Sequence, residues 1–156
     1  MRLLGVVGES DSGKTTLIEG LVGRLVARGR VVHAVKRTHH DVDVDRPGKD
    51  SWRHRKAGAS VVALVTPTRV CVVHELGEQP QPTLIEVCRS LGPCDVVLVE
   101  GWRDGDHPRL EVAEGQVTPR VGRDGGPWSR DDLDAIADFV DAWVEDDRES
   151  QGACGA

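Results

Sequence analysis

The stretch Gly8-Glu9-Ser10-Asp11-Ser12-Gly13-Lys14-Thr15 constrains this chain more than any other. It matches G-x-x-x-x-G-K-[ST] at every required position. Its flanks also suit that motif. Leu3-Leu4-Gly5-Val6-Val7 is a short apolar run that predicts a buried strand. Beyond the motif, Leu17, Ile18, Leu21, Val22, Leu25 and Val26 predict one apolar helix face over Thr15–Arg28, with Gly29 placed to close it. Glycines let the backbone turn so that successive N–H groups converge on phosphate oxygens, and the helix dipole adds its positive end to the same spot. Lys14 would neutralise the β- and γ-phosphates, and the Thr15 hydroxyl would ligate Mg²⁺. Candidate nucleotide contacts are therefore Gly8, Glu9, Ser10, Asp11, Ser12, Gly13, Lys14, Thr15 and Thr16.

The rest of the chain continues the alternation of strand and helix. Val31–Lys36 reads as the next strand, completing a βαβ unit. Val61–Val65 and Val70–Val73 are short β-branched runs, either a hairpin or two edge strands. Thr83-Leu84-Ile85-Glu86 resembles a helix-starting capping box, closed at Gly92. Asp95–Glu100 is apolar through its middle, as a strand covered by helices on both faces should be. Ser129–Asp132 opens a last helix with Leu133, Ile136, Ala137, Val140, Trp143 and Val144 buried and Asp134, Asp138 and Asp141 facing water. The expected fold is α/β, a three-layer P-loop NTPase arrangement with a mostly parallel sheet flanked by helices. Residues 1–146 are taken as one domain and 147–156 as a polar tail.

A bound Mg²⁺–triphosphate calls for an acidic residue at the C-terminal end of a neighbouring strand. Glu100 ends the apolar strand and fits that place, whereas Asp95 begins it and belongs at the opposite edge. Lys14 and Glu100 are the candidate catalytic groups, and Thr15 and Glu100 the candidate metal ligands. The loop after Glu100 lacks the glutamine that orients attacking water in signalling GTPases, so hydrolysis should be slow.

A second polar block follows the second strand, from Lys36 through His39, His40, Asp41, Asp43 and Asp45 to Lys49, Asp50, Ser51, Arg53, Arg55 and Lys56. Asp41, Asp43 and Asp45 alternate, so extended backbone would project them from one side, where they could hold a divalent metal with His39 or His40. Mixed with so many cations, they suggest a site for a charged ligand. Trp52 and Trp102 offer flat faces for a purine or pterin.

Charge and cysteine content narrow the partners. The 156 residues carry a net charge of −6. Positive charge is concentrated in the first 60 residues and negative charge in the remainder. Overall acidity argues against a general nucleic-acid binder. No apolar run approaches the roughly 20 residues of a membrane span. Cys71, Cys88, Cys94 and Cys154 have no C-x-x-C spacing, so reduced thiols and a cytoplasmic location are expected.

Three segments together resemble a known family. They are the phosphate loop, the block H-H-D-x-D-x-D with P-G-K-D-S-x-R-H-x-x-A-G-A from His39 to Ala59, and V-L-V-E-G-W from Val97 to Trp102. With Pro108–Val112 and the acidic final helix, they are similar to the MobB family of molybdopterin-guanine dinucleotide biosynthesis adapter proteins. The likeness spans roughly Leu3 to Trp143. It implies a protein that binds GTP with Mg²⁺, hydrolyses it weakly and forms a homodimer. It also implies work beside the molybdopterin guanylyltransferase, with molybdopterin itself as a further candidate partner. Lys14, Thr15 and Glu100 map onto the family's nucleotide and metal positions. His39, His40, Asp41, Gly48, Lys49, Asp50, Ser51, Arg53 and Gly58 match its second motif, and Lys36 joins them as a candidate contact. Arg37-Thr38 and Arg103 depart from the family's usual histidine and lysine. Guanine selectivity follows from the resemblance alone, since no N-K-x-D is present. Two other classes stay open on the residues: a small P-loop kinase, with Gln116–Arg130 as an arginine-bearing lid, and a metal-insertion GTPase.

Overall fold

The computed structural model describes residues 2–152, with side chains through Asp146. The chain forms two compact units: one from the residues up to Thr38 together with those from Leu84 onward, and one from His39–Thr83. The sequence reading takes the same span as one domain.

The first unit is a six-stranded sheet whose strands lie in the order Val32–Lys36, Val96–Glu100, Arg2–Gly8, Arg109–Ala113, Gln116–Arg120 and Trp128–Ser129. Its strands are β1 (Arg2–Gly8), β2 (Val32–Lys36), β5 (Val96–Glu100), β6 (Arg109–Ala113), β7 (Gln116–Arg120) and β8 (Trp128–Ser129). Strands β2, β5, β1 and β6 run parallel, and β7 and β8 close the edge antiparallel. Helices α1 (Lys14–Ala27), α3 (Leu84–Ser90) and α4 (Leu133–Gly152) complete the unit. The mostly parallel sheet flanked by helices is the expected α/β architecture.

Strand alternation explains why β5 is apolar throughout. Val96 and Leu98 face a core that includes Leu17, Leu21 and Leu25 of α1 and Ile136, Val140 and Trp143 of α4. Val97 and Val99 face the other way, against Leu84 and Cys88 of α3. A strand covered on both faces has no polar positions to spare. Helix α1 ends as Gly29 suggests. At φ +81°, Gly29 donates its N–H to Val26 and Arg30 donates to Leu25, the paired bonds of a Schellman cap.

Asp134 and Asp138 are exposed as expected and Asp141 is half-buried, and all three also engage arginines. Asp134 pairs with Arg24 at 2.5 Å, Asp138 with Arg28, and Asp141 with Arg30 at 2.5 Å, forming a ladder from α4 to the end of α1 and the residues just after it. Arg24 holds the Asp134 carboxyl below its usual range. The pairs of Asp134 and Asp138, whose carboxylates are exposed, each contribute little, roughly 0–1 kcal/mol, while the Arg30–Asp141 pair is partly buried. The segment expected as a tail is helical backbone through Gly152, because α4 continues past Glu145. Residues 153–156, including Cys154, lie outside the described residues, while Cys71, Cys88 and Cys94 are free thiols.

The second unit holds α2 (Asp50–Lys56) and an antiparallel hairpin of β3 (Val61–Val65) and β4 (Val70–His74). Of the two arrangements left open by the sequence, it is the hairpin. The stretch before α2 carries no regular element and is organised by Arg55. Its guanidinium, with the side chain only 8% exposed, pairs with Asp43, Asp45 (3.3 Å) and Glu75. Asp45 also accepts from the Ser51 hydroxyl at 2.9 Å. Glu75 first, then Asp43 and Asp45, push the Arg55 pKa up against the opposing effect of burial. Two of the three alternating aspartates, Asp43 and Asp45, therefore serve the Arg55 cation, whereas Asp41 is exposed.

Two measurements test this packing. Leu98→Ala, at a position with no exposure, should cost about 2–5 kcal/mol of unfolding free energy in a urea titration. Arg55→Ala should open residues 39–59 to limited proteolysis while the sheet unit keeps its protection; an unchanged cleavage pattern would contradict the organising role.

Candidate functional site

Parallel pairing fixes where the site forms. Gly5 of β1 stands opposite Val99 of β5, and Val6 opposite Glu100. Both strands therefore deliver their C-terminal ends to one edge of the sheet, the usual ligand edge of open α/β folds. The loop leaves β1 at Gly8 and enters α1 at Lys14.

Two glycines in the loop are sterically required. A Cβ at Gly8 would lie 2.4 Å from the Val112 carbonyl oxygen. Gly13 precedes the helix at φ +91°, a left-handed conformation that side chains disfavour. A Cβ there would meet the Arg130 guanidinium at 2.3 Å. Asp11 also has positive φ, +58°. The loop is thus an arch, with Ser12 donating its N–H to the Glu9 carbonyl at 3.3 Å and Leu17 donating to Gly13 at 3.0 Å.

The functional side chains gather at this arch. The Lys14 ammonium donates to the Glu9 carbonyl and sits 3.4 Å from the Ser12 hydroxyl. The Thr15 hydroxyl faces both carboxylate oxygens of Glu100, at 3.0 and 3.1 Å. Lys36, at the end of β2, brings its ammonium to 3.2 Å from the same carboxylate. A hydroxyl beside a carboxylate is an oxygen donor set, which suits a hard divalent cation such as Mg²⁺. Asp95 lies at the opposite end of β5, where its carboxylate accepts from the Val31 N–H at 2.8 Å.

Of the sequence-derived candidates, the first unit brings together Gly8 to Thr16, Lys36 and Glu100. His39, His40, Asp41, Lys49, Asp50, Ser51 and Arg53 belong to the second unit. There His39, His40, Asp41, Lys49, Asp50 and Arg53 are exposed. The alternating aspartates do not form a metal centre with His39 or His40: Asp43 and Asp45 serve Arg55, and no group of three metal-ligating side chains exists among the described residues. Trp102 packs against the α3 core with the Arg37 guanidinium 4.8 Å from its ring, and Trp52 has the Lys56 ammonium at 5.7 Å. Both rings already have cationic neighbours.

Two arginines reach the loop from positions that sequence spacing does not connect with it. Arg103 donates to the Gly8 carbonyl at 2.8 Å, and Arg130 to the Ser12 carbonyl at 3.0 Å. Beside Arg103 a cavity of about 530 Å³ is lined by residues that include Gly8, Glu9, Ser12, Arg109, Glu111 and Glu114. Gln116–Arg130, considered as a kinase-type lid, instead supplies β7 and β8 of the main sheet. No helix among the described residues is long and apolar enough to cross a membrane.

Comparison with known proteins agrees with this architecture. Residues 3–125 match the family model described as MobB, molybdopterin guanine dinucleotide synthesis protein B. A molybdopterin-guanine dinucleotide biosynthesis adapter protein of Escherichia coli is 32% identical over 164 residues, covering 92% of this chain and 93% of its own. Its counterpart in Haemophilus influenzae is 39% identical over 74% of this chain, and the match spans 65% of that relative's length. The crystal structure of molybdopterin-guanine biosynthesis protein B superposes with a TM-score of 0.70 at 29% identity, covering 92% of this chain and 99% of that one. A MobB homologue from Bacillus stearothermophilus, at 24% identity and a TM-score of 0.66, shares the fold. This chain belongs to the MobB family.

Proposed function

We propose that this chain is an adapter in molybdopterin guanine dinucleotide biosynthesis that binds GTP with Mg²⁺ and assists the guanylyltransferase. The adapter role rests on family membership and on the names of its curated relatives. The observation that carries the nucleotide reading is the Thr15 hydroxyl facing both oxygens of Glu100 at the mouth of a glycine-arched loop. Thr15 and Glu100 would hold the metal, which supplies charge neutralisation for the phosphates when bound. Backbone N–H groups of the arch and the first turn of α1 receive phosphate oxygens. Lys14 exchanges its contacts with Glu9 and Ser12 for those oxygens. Lys36 balances the Glu100 charge from the neighbouring strand.

No glutamine follows Glu100 to orient water, and the segment is Gly101-Trp102-Arg103-Asp104. Turnover of GTP should therefore stay below roughly 1 s⁻¹, the low end for dedicated enzymes. That suits an adapter whose bound state matters more than hydrolysis. The preference for guanine rests on the family.

A homodimer is part of this reading. One face of the β3–β4 hairpin presents Val61, Val65, Val70 and Val72, all roughly half or more exposed. Exposed apolar positions on one sheet face suit an interface between copies. Val65→Asp together with Val72→Asp should convert a dimer to a monomer in sedimentation velocity; a wild-type chain that sediments as a monomer at micromolar concentration would contradict it.

The nucleotide reading is tested by calorimetric titration. Mg·GTP should bind about tenfold or more tighter than Mg·ATP. Lys14→Ala should weaken GTP binding roughly a hundredfold, since it removes a charged phosphate partner. Thr15→Ala should leave a residual affinity that EDTA no longer changes. Equal affinities for GTP and ATP, or unaltered binding in Lys14→Ala, would overturn the reading.

A further inference from the structure

The geometry points to Arg103 and Arg130 as positioning residues that hold the phosphate loop in its binding shape from outside. They act through the peptide planes rather than by touching phosphate. The inference rests on the nucleotide reading of the loop, and its test separates the two.

Both arginines hold backbone carbonyls of the loop. Arg103 binds the Gly8 oxygen at 2.8 Å and Arg130 the Ser12 oxygen at 3.0 Å. Among the described residues the cis peptide is Gly126–Pro127, so the Gly8–Glu9 and Ser12–Gly13 peptides are trans. In a trans peptide the C=O and the following N–H point in opposite directions. A guanidinium that captures the Gly8 carbonyl therefore turns the Glu9 N–H to the other side of the loop. Capture of the Ser12 carbonyl does the same for the Gly13 N–H. The two arginines thus orient donors near the start and end of the arch. Hydrogen bonds to charged donors are the stronger kind, and a guanidinium keeps its charge at any working pH.

Each arginine is itself held in place. Arg130 follows β8, and its backbone N–H donates to the Gly115 carbonyl at 2.8 Å, tying it to the β6–β7 turn. Its head packs against Gly13, at the point a Cβ would occupy. Arg103 sits in the loop after Glu100. That loop is secured by Arg37, which pairs with Asp104 at 2.7 Å and lies over the Trp102 ring at 4.8 Å. Arg37 also donates its backbone N–H to the Glu100 carbonyl at 2.9 Å. The strand end that supplies Glu100 therefore also positions the arginine that shapes the loop. Metal ligand and phosphate cradle are built as one piece.

Hydrogen exchange of the nucleotide-free protein and Mg·GTP titration, applied to the same variants, test this. Arg103→Ala and Arg130→Ala should each speed amide exchange within residues 8–15 while leaving α4 and β5 protected. Each should weaken GTP binding about tenfold, the low end for a hydrogen bond to a charged group. Arg→Lys at either position should recover part of both effects, because an ammonium can still hold a carbonyl. Unchanged exchange over residues 8–15 in the alanine variants would overturn the assignment, as would faster exchange spread over the whole sheet. If exchange responds as described but the wild-type chain binds no nucleotide, the brace stands and the nucleotide reading falls.

Discussion

Parallel pairing of β1 with β5 is the constraint on which the site depends. Thr15 and Glu100 are 85 positions apart in the chain, and only a shared sheet edge brings them within hydrogen-bonding distance. Because Val6 stands opposite Glu100, the loop that begins two residues later arches over the same rim. The register is secured by burial. Val96 and Leu98 pack toward α1 and α4, and Val97 and Val99 toward α3. A slip by one residue would exchange the two faces of β5 and withdraw Glu100 from the loop.

Much of this was legible in the sequence, for physical reasons that differ by element. β1, α1 and β5 announce themselves because short unbroken apolar runs in the strands and a sustained apolar face in the helix leave little alternative. The phosphate loop is legible because its glycines answer steric needs that the fold bears out at Gly8 and Gly13. The β6–β7 hairpin is hard to read as strands from the sequence. Its buried positions are Leu110, Val112, Val117 and Pro119, separated by charged or polar residues, and proline is a poor strand former. Its turn, Glu114-Gly115, carries positive φ at both residues, the geometry of a tight hairpin, but without the asparagine or aspartate that usually signals it. Alternation through Arg109–Ala113 was the available clue.

The charge asymmetry is a second case in which tertiary structure decides meaning. A basic first half and an acidic second half suggest an anionic ligand and a solvated acidic surface. Part of that asymmetry is internal, because Arg24, Arg28 and Arg30 of the first half pair with Asp134, Asp138 and Asp141 of the last helix. Likewise Asp43 and Asp45, which in sequence resemble half a metal centre, satisfy Arg55. Helix docking and loop folding, which spacing along the chain does not encode, assign these partners. Within the block from His39 to Ala59, the ion pairs of Arg55 account for the order of the stretch before α2.

On the proposed reading, a triphosphate would contact the chain at the glycine-arched loop. The most direct measurement is an NMR amide titration of the ¹⁵N-labelled protein with Mg·GTP. The largest shift changes should fall on the backbone N–H groups from Glu9 to Thr16, with a smaller response at Glu100. Changes centred elsewhere, with the residues from Glu9 to Thr16 unmoved at saturation, would contradict it.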